Sequence, residues 1–229
     1  MARSGSNLSD LLGYLVTIKS GEATRVPPLA DLSQTLGISV ATLREQLEAA
    51  RLLGVVEVKP RAGIRKIAYE FKPAALASLT YGLATGELSF NQLSEFRKHL
   101  EAAYFAEAAQ LLTEKDLQEL NAIVRNALQK LKYPAQLPVD EHRDYHLVIY
   151  RNLDNKILNG ILETYWELYH SMGYDIYPDR DYVERVWQYH ARIVEQVQQR
   201  NFDQGLKLLL EHMDMMNQRE KSIPRLSFE

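Results

Sequence analysis

The sequence predicts a mainly α protein in two parts. Residues 1–70 form a small head with one β-hairpin, and residues 71–229 form an antiparallel all-helical bundle of six or seven helices. Three observations carry this reading. Apolar residues recur at three- and four-residue spacing along most of the chain, the pattern of helices with one buried face. The β-branched, alternating run Val55-Val56-Glu57-Val58-Lys59 is a clear strand signal, and it lies in the first third. After Pro73, turn residues cut the periodic sequence into helix-length pieces with no strand signal between them.

Residues 1–6 are small and polar. Leu8, Leu11, Leu12, Leu15 and Ile18 predict a first helix, ended by Gly21, and Val26-Pro27-Pro28 bridges to the next segment. Leu29 to Gly54, LADLSQTLGISVATLREQLEAARLLG, reads as two helices around a tight turn. Gly37 can adopt the left-handed conformation that ends the first helix at about Leu36. Ser39 can cap the second, which runs through Leu53. Ile38, Leu43, Leu47 and Leu53 make the apolar side, leaving Thr42, Arg44 and Gln46 for another surface. This is the helix-turn-helix pattern, whose second helix enters the DNA major groove. The bare motif also fits an ordinary helical hairpin. Pro60-Arg61-Ala62-Gly63 is a turn cluster, and Ile64-Arg65-Lys66-Ile67 can return as a second strand. A hairpin directly after a recognition helix is a wing. Lys59, Arg61, Arg65 and Lys66 at its tip suit phosphates or a minor groove, or simply a solvated basic turn.

Ala68 to Lys72 leaves the wing, and Pro73 opens a helix to about Ala84, broken by Gly86. Ser89-x-x-Gln92 resembles a capping box, from which a long helix runs to about Leu112. Thr113 can cap the next helix, about 114–132, and Pro134 to Pro138 is a loop. Further helices cover about Val139 to Asn152 and Lys156 to Met172; a polar, aromatic loop spans Gly173 to Arg180. Two helices finish the body, about Asp181 to Arg200 and Asp203 to Lys221, and Pro224 marks the end. Met213, Met215 and Met216 read as packing for the last helix.

The chain has 229 residues, 46% hydrophobic and 25% charged, the balance of a globular protein. With no cysteine there is no disulfide, thiolate nucleophile or cysteine-based zinc finger, which fits a reducing cytoplasm. No signal-peptide core is visible, and no run approaches about 18 apolar residues, so neither export nor membrane insertion is expected. The net charge of −3 is unevenly shared. Residues 1–72 hold 10 Lys plus Arg against 7 Asp plus Glu, and the remainder 17 against 23. A positive head on an acidic body suits a nucleic-acid partner for the head.

All six histidines follow residue 98. His142 and His146 are four apart and share a helix face. His190 lies on the seam Val186, His190, Ile193, Val197, and His212 on the seam Leu208, His212, Met215. A single inward histidine is usually a hydrogen-bonded core residue. Several on neighbouring helices suit zinc, nickel, copper or iron, which helical bundles commonly hold. His99 and His170 lack such partners and read as surface or packing residues. Tyr104, Tyr150, Tyr165 and Tyr169 read as core or as the lining of a cavity.

The chain resembles the GntR family of bacterial transcription regulators. The resemblance rests on residues 7 to 67: an opening helix, Val26-Pro27-Pro28-Leu29, the ISVATLREQLEAARLLGVV run and a wing with Gly63. Arg44 matches the Arg of the family's VREAL segment, whereas Val40 stands where the family usually has Arg, which puts one DNA contact in doubt. The resemblance implies operator contacts from Ser39, Thr42, Arg44, Gln46, Arg61, Gly63 and Arg65, and a homodimer on two half-sites. The body is similar to the all-helical FCD domain of the FadR-like branch. That likeness implies a divalent metal beneath a carboxylate effector, held by Asp-x3-His and His-x21-His. His146, His190 and His212 match the pattern, and His142 replaces the Asp. Imidazole in that place favours zinc or nickel over manganese, or else marks a lost fourth ligand. Arg97, in Arg97-Lys98-His99-Leu100-Glu101, and Asn155 are implied to face the effector, a small organic acid; chemically Arg97 also fits an internal salt bridge. Two other functions remain open from the residues: a metal-free regulator with an apolar or acyl effector, and a metal-dependent enzyme with Asp144 or Glu141 as base.

Overall fold

The computed structural model describes residues 7–18, 24–133, 136–173 and 179–220, the last five without their side chains. Their order is α1 (Asp10–Thr17), β1 (Thr24–Arg25), α2 (Leu29–Leu36), α3 (Val40–Leu52), β2 (Val56–Lys59), β3 (Gly63–Lys66), α4 (Lys72–Thr85), α5 (Phe90–Gln110), α6 (Glu114–Lys130), α7 (Val139–Tyr150), α8 (Lys156–Ser171), α9 (Arg180–Gln198) and α10 (Phe202–Glu220). The chain divides into two compact units, Met1–Ala77 and Ser78–Glu229, so the boundary falls inside α4.

In the head, Ser9 caps α1 by accepting from the Leu12 amide. Leu8 therefore precedes the helix and is exposed. The helix ends at Ile18; the expected stop at Gly21 lies outside the described residues. Gly37 closes α2 at φ 70°, and the Ser39 side chain opens α3 by accepting from the Thr42 amide. Gly54, also left-handed at φ 66°, lies against Pro73: a Cβ at residue 54 would come within 2.4 Å of the pyrrolidine ring. Both the backbone angle and that approach require glycine.

The sheet has the antiparallel order β1-β3-β2, with Val56 opposite Lys66 and Lys59 opposite Gly63. The wing hairpin thus gains a third strand, β1, which the sequence reading missed. Two residues, both exposed, give no alternation to detect. Arg61 and Gly63 take positive φ at the hairpin turn. Leu11, Leu15, Val26, Leu32, Leu43, Leu47, Ala50 and Val56 form the head's core.

In the other unit, capping boxes start α5 at Ser89 with Gln92 and α6 at Thr113 with Asp116. Each satisfies two amides that a helix start otherwise leaves bare. α10 packs on α9 and α5, α6 on α7 and α9, and α8 on α5 and α7. Phe105, Leu120, Ile149, Leu162, Trp187, Ile193 and Leu209 are central to the common core. Within it, α5, α7, α9 and α10 present charged or titratable side chains that are fully buried. The expected loops around Pro134 and 174–178, and the side chain of Met216, lie outside the described residues.

Candidate metal centre and DNA-reading helix

α7 carries His142 and His146 one turn apart, α9 carries His190 and α10 carries His212. Their helices converge so that one ligand nitrogen from each lies within 4.8 Å of the others. Ring centroids are 4.5 Å apart for His190 and His212, 5.0 Å for His142 and His190, and 5.3 Å for His142 and His146. His146, His190 and His212 are wholly buried, and His142 partly. Tyr145 stacks on His190 at 4.1 Å and its hydroxyl donates to the His190 carbonyl. Trp166 and Trp187 close the walls, each with its ring centroid 4.7 Å from that of a histidine.

The donor set fits a divalent metal. Neither ring nitrogen of His190 or His212, nor Nε2 of His146, has a hydrogen-bond partner among the described residues. Buried polar atoms left in this way are costly unless something else satisfies them. Burial, reinforced by the neighbouring imidazoles, holds His190 well below the usual histidine range, and burial does the same for His212. Neutral imidazole is the form that ligates. Zinc–imidazole bonds of about 2.0–2.1 Å require ligand nitrogens about 3 Å apart, so the cluster would close on an ion by small side-chain rotations.

A carboxylate that the sequence reading left without a role completes the centre. Glu101 is wholly buried between Arg97, whose Nε donates to it at 2.5 Å, and His146, whose Nδ1 lies 2.8 Å from its other oxygen. Burial pushes the Glu101 carboxyl up, but Arg97 and then His146 overcome it and lower it to about 2. An ionised Glu101 makes Nδ1 of His146 the donor and turns Nε2 toward a ligand's role. Burial lowers the His146 pKa, and Glu101 opposes this only in part. The i,i+4 spacing of Arg97 and Glu101 was the available signal. What hid the role was the 45-residue separation from His146.

Arg97 makes the internal salt bridge that its chemistry allowed. It pairs with Glu101, yet its Nη2 has no hydrogen-bond partner among the described residues, and its guanidinium lies over Tyr165 at 4.3 Å and Trp166 at 4.4 Å. Asn155 is the N-cap of α8, its side-chain oxygen accepting from the Ile157 and Leu158 amides. Its carboxamide oxygen is thus committed to the helix start. His99 Nδ1 donates to the Glu95 carbonyl on an exposed face. Glu141 and Asp144, the candidate bases of the enzymatic alternative, are ion-paired to Lys130 and Arg143.

On the head, Thr42 and Arg44 are exposed on α3, and Arg61, Gly63 and Arg65 are exposed on the wing. Ser39 is occupied as the α3 cap, with Thr42 Oγ1 at 2.9 Å. Val40 is half-buried at the first residue of α3. Gln46, expected at the DNA, is hydrogen-bonded within the head. Its side-chain oxygen accepts from the Leu11 amide at 2.8 Å, and its nitrogen donates to Asp10, so it ties α3 to the start of α1. Lys66 donates to the Ile18 carbonyl and Lys59 pairs with Glu57, leaving Arg61 and Arg65 as the wing's exposed arginines.

Comparison with known proteins finds relatives that span both units of the chain. The FCD domain family matches residues 92–215, more than half of the chain and all four histidines. The HTH-type transcriptional regulator LutR of Bacillus subtilis is 24% identical over 207 residues, covering 86% of this chain and 92% of its own length. Among solved structures, the GntR protein of Streptococcus agalactiae superposes with a TM-score of 0.65 at 16% identity, over 91% of this chain and 96% of that one, which shows a common fold. A helix-turn-helix with a wing, followed by a helical body that matches the FCD domain, places this chain in the GntR family of transcription regulators, with an FCD-type effector domain.

Proposed function

We propose that this regulator reads operator DNA with α3 and its wing, and that its FCD unit, residues 71–229, binds a divalent metal and a small carboxylate effector. The observation that carries the second part is the set of buried imidazole nitrogens on His190 and His212 that no group among the described residues satisfies. His142, His146, His190 and His212 would hold zinc or nickel, since four nitrogen donors favour these over manganese. A bound ion of this kind supplies a Lewis-acid anchor for a carboxylate oxygen. Glu101 orients His146, and Arg97 presents an unpaired guanidinium nitrogen as a second anchor for an acid.

Arg44 is the candidate for a bidentate guanine contact, with Thr42 beside it. Arg61 and Arg65 would hold phosphates and make affinity depend on salt. Helix-turn-helix proteins bind two half-sites as two-fold dimers, so the working form is a homodimer on a near-palindromic site. The effector acts to the extent that it binds one arrangement of the two heads better than the other.

Zinc titration of metal-free protein tests the reading. A ligand that binds only the folded chain at a thousand times its Kd adds about 4 kcal/mol, so the melting temperature should rise clearly. An unchanged melting temperature with zinc and with nickel would leave the histidines structural and favour an apolar or acyl effector.

A further inference from the structure

We propose that the effector of this site is a small dianionic acid and that the Trp166 indole N–H is one of the groups that holds it, beside Arg97. The inference rests on the metal-and-acid reading above. It adds the charge of the acid and a specificity residue that this reading does not contain.

The first argument is charge. No carboxylate belongs to the four-histidine set, and metal-bound imidazoles are neutral. Among the described residues the buried carboxylates are Glu101 and Asp116, and Asp116 is bonded by Arg151, Asn152 and Thr113. A divalent ion and Arg97 therefore face Glu101 alone, which leaves two positive charges uncompensated. The surrounding walls are Tyr145, Trp166 and Trp187, all nearly or wholly buried. Uncompensated charge in such surroundings is strongly unfavourable. A monoanion would cancel one of the two charges, and a dianion both.

The second argument is hydrogen bonding. Arg97 Nη2 and Trp166 Nε1 are buried and have no hydrogen-bond partner among the described residues. Both groups only donate. They are also neighbours: the guanidinium carbon lies 4.4 Å from the centroid of the Trp166 ring. That ring is in turn 4.7 Å from His142 and 5.2 Å from His146. A phenylalanine would fill this space without leaving a buried donor bare. Two unmatched donors beside the ligand cluster call for a ligand rich in acceptors, and a dianionic acid is one.

The test is calorimetric titration of the full, zinc-loaded chain with malonate, succinate and inorganic phosphate, against acetate and propionate at equal ionic strength. At least one dianion should bind about tenfold or more tighter than the monoanions, the gain expected of an added charge-assisted contact. Trp166→Phe should weaken the best dianion about fivefold while zinc stoichiometry is kept. If that variant does not fold, Trp166 emission in a Trp187→Phe background reads the same contact, and it should change on titration. A malonate or succinate preference identifies a dicarboxylate, and a phosphate preference a phosphate; both bear the charge argument out. Monoanions binding as tightly as dianions to zinc-loaded protein would overturn the charge argument and leave the metal reading standing. Unchanged affinity in Trp166→Phe, or unmoved Trp166 emission, would overturn its role. No zinc and no acid bound would remove the metal reading and this inference together.

Discussion

Glu101 is the residue on which the buried polar network turns, because it faces Arg97 with one oxygen and His146 with the other. Removing its charge by Glu101→Gln leaves a buried guanidinium without its counter-ion. The expected loss is about 3–5 kcal/mol of stability, read in urea melts. Metal affinity should fall about 10–100-fold as well, because the glutamine offers one acceptor oxygen to two donors, Arg97 Nε and His146 Nδ1, and no longer fixes the His146 tautomer. Wild-type stability in this variant would mean the pair is solvated in solution. The histidines make a pH prediction of their own. Burial lowers the folded-state values of His190 and His212 below 6.5, so below 6.5 the unfolded chain takes up protons that the folded chain refuses. Stability of metal-free protein is then complete above that value and is lost as pH falls. Melting midpoints between about pH 7.5 and 5.5 should decline, and a flat profile would contradict the burial. The three matching histidines were legible through the 21-residue gap between His190 and His212 and the helical seams around them. Glu101 and Trp166 were not, since their significance lies in contacts between helices distant in sequence.

α3 separates two side chains that the sequence grouped together. Arg44 is exposed, whereas Gln46 holds the Leu11 amide at the first turn of α1. A helix start leaves such amides unpaired, and a side-chain acceptor there contributes about 1 kcal/mol. Gln46→Ala should therefore lower the melting temperature of the head while leaving the order of preference among operator variants unchanged. Arg44→Ala should do the reverse: operator affinity falls by about 1–3 kcal/mol, chiefly at one base pair, with the melting temperature kept. Quantitative gel shifts on an operator panel, paired with thermal melts, distinguish the two. Equal effects on both readouts would sink the division of labour. Helical spacing marks which residues share a face. It does not reveal that α1 reaches Gln46 at the margin of the buried face. Helix caps fared better, because Ser39, Ser89 and Thr113 each precede their helix with a local signature. The short β1 left none.

At the scale of the molecule, a helix-turn-helix head and an FCD unit share one chain, and the central claim is that the second unit is a metal-dependent receptor for an acid. The chain's charge is divided in the same sense, with a net positive first 72 residues and a negative remainder. The helical fold and the family were legible because periodicity, caps and the helix-turn-helix run agreed with one another. The metal depends on side-chain placement across α7, α9 and α10, so it is the claim that most needs direct measurement. That measurement is elemental analysis of untagged protein as purified, alongside His146→Ala and His190→Ala. About one zinc or nickel ion per chain is predicted, and both variants should lose it while still binding operator DNA. Wild-type protein that holds neither metal, even after reconstitution, or variants that retain a full equivalent, would contradict the account.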